Sequence, residues 1–411
     1  MKETPKLWNK NFIMFVIGRE LSMLGKSLLR FALPLYILLE TGNPILMGTI
    51  LAASALPSIA FAPIGGVIAD RFNKRKLLAA MNFTTAVAII TYLGLSNIIE
   101  IVPATIIMML VLLTFESLIS LTTKASVPAI VPSNALVKAN SVTFLLTTFS
   151  GIGTPVLGGF ILAIFGLVPI LFISIAFHLL ATVMNFLAKI PYTKQEMSES
   201  LPATIVSDIK AGIRFITKEK PEIGKVIFRV NMLSCITLMP LISIALPVLV
   251  TIYFERGETT LGITQAIIVF SGVIGVLLIG MLGKKANITK VRLLLFASSI
   301  ALFPTGIAFM WSNNDTLTYL ILIVSLFVIS ALSIMMAIIC RSYFGEKSSE
   351  HMVGKVMALN SSLVILGTSI GGYLYGFLFN HFIESPEVAL FILTGASAIV
   401  AARFKISARQ E

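Results

Sequence analysis

The sequence predicts an all-α membrane protein of twelve transmembrane helices in two pseudo-symmetric six-helix bundles. Three observations predict it. Of the 411 residues, 57% are hydrophobic and 12% charged, whereas a soluble domain carries about 25% charged residues. Apolar stretches of about 20 residues, the length that crosses a bilayer, recur from end to end. Short signatures in the first half return in the same order in the second.

The twelve expected spans lie near 12–39, 44–69, 77–97, 103–123, 139–165, 168–188, 223–252, 261–283, 291–311, 316–340, 353–380 and 387–403. Gly, Pro, Asn and charged residues fill the connections. The first stretch is longer than a signal-peptide core and lacks a small-residue cleavage site, so it is expected to be retained. Cys235 and Cys340 stand alone, and His178, His351 and His381 are scattered. Neither a disulfide framework nor a metal site is expected, and no cofactor is implied.

Charge asymmetry orients the chain. With the N-terminus inside, the cytoplasmic connections hold Lys2, Lys6, Lys10, Arg71, Lys74, Arg75, Lys76, Lys124, Lys138 and the basic run from Lys189 to Lys225. They continue with Lys284, Lys285, Lys290, Arg292, Arg341, Lys347, Lys355, Arg403, Lys405 and Arg409. The outer loops hold Arg256 and a series of acids, among them Glu40, Glu100, Glu255 and Asp315. Lys and Arg favour the cytoplasmic side, so both termini are expected there. The net charge of +12 is thereby a topology signal, and nucleic-acid binding is not needed to explain it. The lipid bilayer is therefore an expected partner.

Residues 1–188 are expected to form one bundle, 189–222 a cytoplasmic linker, and 223–411 the second bundle. Ile205, Ile209, Ile213 and Ile216 recur in the linker at helical spacing, with Lys210, Arg214 and Lys218 on other faces. This predicts an amphipathic helix in the plane of the membrane surface. The repeat is read from three echoes. Val16-Ile17-Gly18-Arg19 leads to Ala32-Leu33-Pro34 as Val226-Ile227-Phe228-Arg229 leads to Ala245-Leu246-Pro247. Gly66 to Arg71 has a weaker echo in Gly280 to Lys285, and Asn140-Ser141 precedes Gly151 as Asn360-Ser361 precedes Gly371. The shared offset implies duplication, a recurring plan for transporters.

The first span carries Arg19, Glu20, Lys26 and Arg30. At 100° per residue, the three cations fall within about 40° of one another. A Lys or Arg at mid-membrane costs about 2.5–3.5 kcal/mol on the lenient insertion scale, so this stripe should face a wet cavity or carboxylates rather than lipid. Glu20 and Glu116 are the two acids placed inside spans. Gly25-Lys26-Ser27 looks like the end of a P-loop, but Glu20 stands where that pattern needs Gly and no strand precedes it.

Gly66-Val67-Ile68-Ala69-Asp70-Arg71-Phe72-Asn73-Lys74-Arg75 resembles the motif A loop of the major facilitator superfamily. Gly151-Ile152-Gly153-Thr154-Pro155-Val156-Leu157-Gly158-Gly159 resembles its antiporter motif, with Thr154 in place of a Gly. Ala32-Leu33-Pro34-Leu35-Tyr36, Val127-Pro128-Ala129-Ile130-Val131-Pro132 and Gly354-Lys355-Val356-Met357 resemble the macrolide-efflux-like branch of drug:proton antiporters. The Arg that many drug antiporters carry on span 4 has no clear counterpart.

The resemblance implies a secondary transporter, not an enzyme: a proton-coupled exporter of drug-like or amphipathic molecules working by alternating access, associated with antibiotic resistance. On that reading Asp70 and Arg71, with Gly66, Lys74 and Arg75, form a cytoplasmic gating latch. Gly151, Pro155, Gly158 and Gly159 allow close packing and a bend. The charge pattern itself gives two readings: Arg19, Lys26 and Arg30, with Glu116, contact an anionic or zwitterionic substrate, or Glu20 or Glu116 carries the proton. The same charges could instead form an internal structural network. His178 falls on a span that resembles a peripheral helix, where a structural role is expected. Export of an anionic metabolite such as a siderophore, lipid flipping, and a membrane sensor with a transporter-like fold stay open as alternatives.

Overall fold

The computed structural model describes residues 9–59, 61, 72–95, 98–132, 135–191, 201–283 and 286–403, and all regular structure among them is helical. The first half supplies α1 (Lys10–Thr41), α2 (Pro44–Ser54), α3 (Lys74–Leu95), α4 (Ile101–Ile130), α5 (Leu136–Phe165) and α6 (Leu167–Leu187). Next comes α7 (Leu201–Arg214), then α8, a composite helix over Pro221–Tyr253. The chain ends with α9 (Gly257–Leu282), α10 (Val291–Trp311), α11 (Asp315–Lys347), α12 (Glu350–His381) and α13 (Pro386–Arg403). Among the described residues, eleven helices are long and apolar enough to cross a membrane, and a shorter apolar helix runs over Pro44–Ile59. The remainder of the expected second span lies outside the described residues.

Several helices outrun the predicted spans. α4 continues to Ile130 and α11 to Lys347, so Lys124, Arg341 and Lys347 sit on helices rather than in connections. Charges mark where the hydrocarbon ends, while backbone hydrogen bonding carries a helix onward into the polar layer. Local signals set other ends. Asn314 accepts from the Leu317 N–H at 3.1 Å and caps α11. Gly166, at φ +75°, breaks the chain between α5 and α6 in a conformation other residues avoid.

Contacts group residues 1–37 with 53–205 in one compact unit, and 38–52 with 206–411 in another. In the first unit α3 packs on α4 and α6; in the second α10 packs on α11 and α13. These are corresponding pairs of the sequence repeat. A second correspondence joins the opening span of each half to its fifth. In the first unit Gly158 of α5 receives the Phe31 ring of α1, and an added Cβ would lie 2.8 Å from Phe31 Cδ1. In the second, α12 meets α8 through Gly367, where an added Cβ would lie 2.5 Å from the Met232 carbonyl oxygen. Such small-residue contacts are how helices pack closely in membranes.

The composite helix α8 has π-helical turns at Ile227–Met232, Leu241–Ala245 and Leu249–Tyr253. Pro240 has no N–H for the Ile236 carbonyl. That oxygen instead sits against Gly371, and the neighbouring Thr237 carbonyl accepts from the Tyr375 hydroxyl.

The linker helix α7 contacts α12 through Gly212. Gly212 is buried, and a Cβ there would lie 2.8 Å from Leu359 Cδ1 of α12. Ile213, expected on the apolar face, is exposed.

Candidate functional site

Five helices of the first unit build a polar centre. From α1 come Arg19, Ser22, Lys26 and Arg30; from α3, Asn82 and Thr85; from α4, Glu116, Thr123 and Lys124. Helix α5 adds Thr143, Thr147 and Ser150, and α6 adds His178.

The basic stripe on α1 divides between two carboxylates. Lys26 Nζ lies 2.9 Å from Glu116 Oε1, and Arg30 Nη1 lies 4.0 Å from the same oxygen. Arg30 is mostly exposed, whereas the Lys26 and Glu116 side chains are each about a fifth exposed. Arg19 pairs with its neighbour Glu20 and donates to Thr147 Oγ1 at 2.7 Å and to the Thr143 carbonyl at 3.4 Å. Ser150 Oγ donates to Glu20 Oε2 at 3.4 Å. Both carboxylates are thus matched by cations. Two of the three cations on the stripe, Arg19 and Lys26, are thereby paired within the helix bundle, while Arg30 stays mostly exposed.

The match is incomplete at one atom. Glu116 Oε2 is buried and has no hydrogen-bond partner among the described residues. An ionised carboxylate has room for about four hydrogen bonds, and a buried acceptor left unsatisfied costs about 1–3 kcal/mol. Beside the pair lies a cavity of about 110 Å³ lined by Arg19, Ser22, Lys26, Thr85, Glu116, Thr123, Lys124 and His178, among others. That volume holds several waters and is smaller than the roughly 300–1,000 Å³ of a drug-sized pocket.

His178 is almost fully buried. Its Nδ1 lies 3.0 Å from Asn82 Oδ1, while Asn82 Nδ2 donates to the Leu78 carbonyl at 2.8 Å. Helix α1 comes close at Gly25, whose added Cβ would lie 3.3 Å from His178 Nε2, and Ser174 Oγ donates to the Gly25 carbonyl at 3.1 Å. His178 was expected on a peripheral helix in a structural role; its ring lines the same cavity as Lys26 and Glu116.

The remaining predicted residues fall in three places. Gly66, Asp70 and Arg71 lie outside the described residues. Lys74 opens α3. Arg75 donates from Nε to the Phe186 carbonyl and stacks over the Phe186 ring, 4.6 Å from its centroid. It therefore caps the C-terminal end of α6, where a cation is favourable. Gly151, Pro155, Gly158 and Gly159 lie on α5, with Pro155 inside the helix. Gly158 makes the contact with Phe31 described above. The buried Thr154 hydroxyl has no partner among the described residues.

Sequence reasoning missed Thr143, Thr147 and Ser150, and also Asn82, Thr85 and His178. A signal existed. Thr143, Thr147 and Ser150 follow i, i+4, i+7 spacing, and Ser174, His178 and Asn185 follow i, i+4, i+11, each set marking one polar face of an apolar helix.

Comparison with known proteins agrees with this architecture. The family model described as Major Facilitator Superfamily matches residues 15–372. Macrolide efflux protein A of Streptococcus pyogenes is 23% identical over 367 residues, covering 89% of this chain and 88% of that protein. Enterobactin exporter EntS of Shigella dysenteriae is 24% identical over 370 residues, covering 88% and 83%. Among solved structures, a point mutant of the nucleoside transporter NupG superposes with a TM-score of 0.77 at 15% identity, over 97% of this chain and 100% of that one. A D-xylose-proton symporter gives 0.72 at 16% identity, over 96% of each chain.

Proposed function

Because this chain belongs to the Major Facilitator Superfamily, a family of membrane transporters, we propose that it exports a drug-like or amphipathic small molecule in exchange for protons. Glu116 is the proton-carrying carboxylate and Lys26 its counter-charge. The observation that carries the reading is the Lys26–Glu116 pair at 2.9 Å, set within spans and beside a polar cavity. A carboxylate held there can gain and lose a proton while its salt bridge breaks and re-forms. This is a local charge change of the kind that biases a two-state transporter. Glu20, tied to Arg19 and Ser150, is the second candidate carrier.

Efflux as the direction is supported by the relatives named for macrolide efflux and enterobactin export. The basic connections support a cell-membrane protein with both termini cytoplasmic. Motif A supports a gating latch by Asp70 and Arg71, and the chain works as a monomer.

Export of an anionic compound such as a siderophore is the second reading, favoured by charge. Arg19, Lys26 and Lys124 line the cavity with Glu116 as the acid among its named lining groups.

The test is transport in proteoliposomes under an imposed pH gradient. Glu116→Gln is expected to abolish pH-driven export of a macrolide. Retention of pH-driven export by both Glu116→Gln and Glu20→Gln overturns the coupling assignment. Lys26→Ala separates the two substrate readings: selective loss for an anionic siderophore supports the second, and equal loss for both compounds opposes it.

A further inference from the structure

Export as described above leaves His178 without a part. The ring is nevertheless built into place with care for which nitrogen faces which neighbour. Asn82 gives its amide N–H to the Leu78 carbonyl, so its oxygen is what meets His178 Nδ1. An oxygen there requires Nδ1 to be the donor. Nε2 then carries a bare lone pair. It is buried, has no partner among the described residues, and belongs to a side chain that lines the cavity shared with Lys26 and Glu116.

Helix α1 approaches this nitrogen at the residue immediately before Lys26. The Gly25 Cα presses so close to the ring that a side chain would crowd Cδ2 and Nε2 at 3.2 and 3.3 Å. The Lys26 ammonium has three N–H donors on a flexible four-carbon stem. In the state described it spends one on Glu116 Oε1.

We propose that His178 Nε2 is the second acceptor for the Lys26 ammonium, receiving it when Glu116 takes up a proton. The inference rests on Glu116 being the proton carrier. Protonation adds one H⁺ to the Glu116 carboxylate and converts the ion pair into a neutral acid and an unpaired ammonium. An unpaired ammonium inside a span is costly, and a lone pair on an imidazole that is oriented by Asn82 and lines the same cavity relieves it. His178 is thus a positioning residue: it acts through Lys26 and keeps a neutral ring in both states. The ionisable groups facing the cavity beside it are Arg19 and Lys26 from α1 and Glu116 and Lys124 from α4. Helix α3 presents Asn82 and Thr85, which do not titrate, and α5 presents no titratable side chain among the cavity's lining residues.

The experiment is the pH profile of macrolide export by the full-length protein in proteoliposomes, for wild type, His178→Phe, His178→Gln and Glu116→Gln. Phe keeps a ring of similar volume and removes the acceptor; Gln restores an acceptor oxygen. Loss of the acceptor disfavours the protonated state, so the midpoint for His178→Phe is expected to fall by about one to two pH units. His178→Gln is expected to recover most of that shift. An unchanged midpoint in His178→Phe, or an equal shift in His178→Gln, overturns the proposal. If Glu116→Gln leaves pH-driven export intact, it is the coupling reading that falls, whatever His178 does.

A second measurement does not depend on the phenylalanine variant folding. In protein labelled with ¹⁵N-histidine, with the His178 signal assigned through His178→Gln, Glu116→Gln mimics the neutral acid. The Nε2 resonance is expected to move from a free to a hydrogen-bonded acceptor in that variant, and an unmoved resonance overturns the proposal.

Discussion

Replacing Lys26 by Met asks how much the central ion pair contributes to the fold. At 2.9 Å, the gross attraction in a medium of effective dielectric about 20 is about 6 kcal/mol. Arg30 adds little: it sits at 4.0 Å with 60% of its side chain exposed, where a pair contributes about 0–1 kcal/mol. Desolvation offsets much of the attraction, so the pair as a whole is close to neutral against an apolar substitute. Breaking it from one side is different, because Glu116 Oε2 already has no partner and Lys26→Met would strand the entire carboxylate. The expected loss for Lys26→Met is about 3–5 kcal/mol. The double variant Lys26→Met/Glu116→Leu is expected to return to within about 1–2 kcal/mol of wild type, because both charges leave together. The assay is equilibrium unfolding by SDS titration in mixed micelles, run as a double-mutant cycle with Glu116→Leu. A loss below about 1 kcal/mol for Lys26→Met, or costs that simply add in the double variant, would refute the reasoning.

Three further outcomes follow from packing and hydrogen bonds. Gly158→Val places a side chain into Phe31 and should lower stability by about 1–3 kcal/mol; Gly153→Ala, which meets nothing within 4 Å, should be tolerated in the same unfolding assay. Arg75→Ala removes both the cap on Phe186 and the ring contact. It should cost about 1–2 kcal/mol, and Arg75→Lys should not restore it because a point charge lacks the planar stacking face. Asn231 donates to Asn360 at 2.5 Å in the second unit. Asn360→Leu should cost about 1–3 kcal/mol by leaving Asn231 unpaired, with most of that recovered in Asn231→Leu/Asn360→Leu, as read from thermal unfolding in detergent.

Much of this protein is legible in its sequence alone. Span length and the repeat offset are set by the bilayer and by duplication, and neither depends on how helices meet. Hence α1, α6 and α10 begin and end within a few residues of expectation, and corresponding helix pairs recur in both units. The charges of α1 were legible for the same reason: a cation in a span must be explained.

Partnership is a tertiary property, and there the sequence runs out. Helical spacing placed Arg19, Lys26 and Arg30 on one stripe. It could not say that Arg19 would turn to Glu20 and Thr147 while Lys26 and Arg30 turned to Glu116. That depends on which helix packs where. Nor could it give Arg75 the α6 carbonyl at Phe186, more than a hundred positions away in the chain. His178 shows the distinction most clearly. As a lone histidine on an apolar helix it reads as core. Only the packing of α1, α3 and α6 turns its Nδ1 to Asn82 and leaves its Nε2 without a partner among the described residues, in a side chain that lines the cavity with Lys26. The sequence by itself determined a membrane protein of duplicated halves with buried charge in the first. The packing of α1, α3, α4, α5 and α6 decided which charges meet, because side chains far apart in the chain become neighbours only through helix–helix contact.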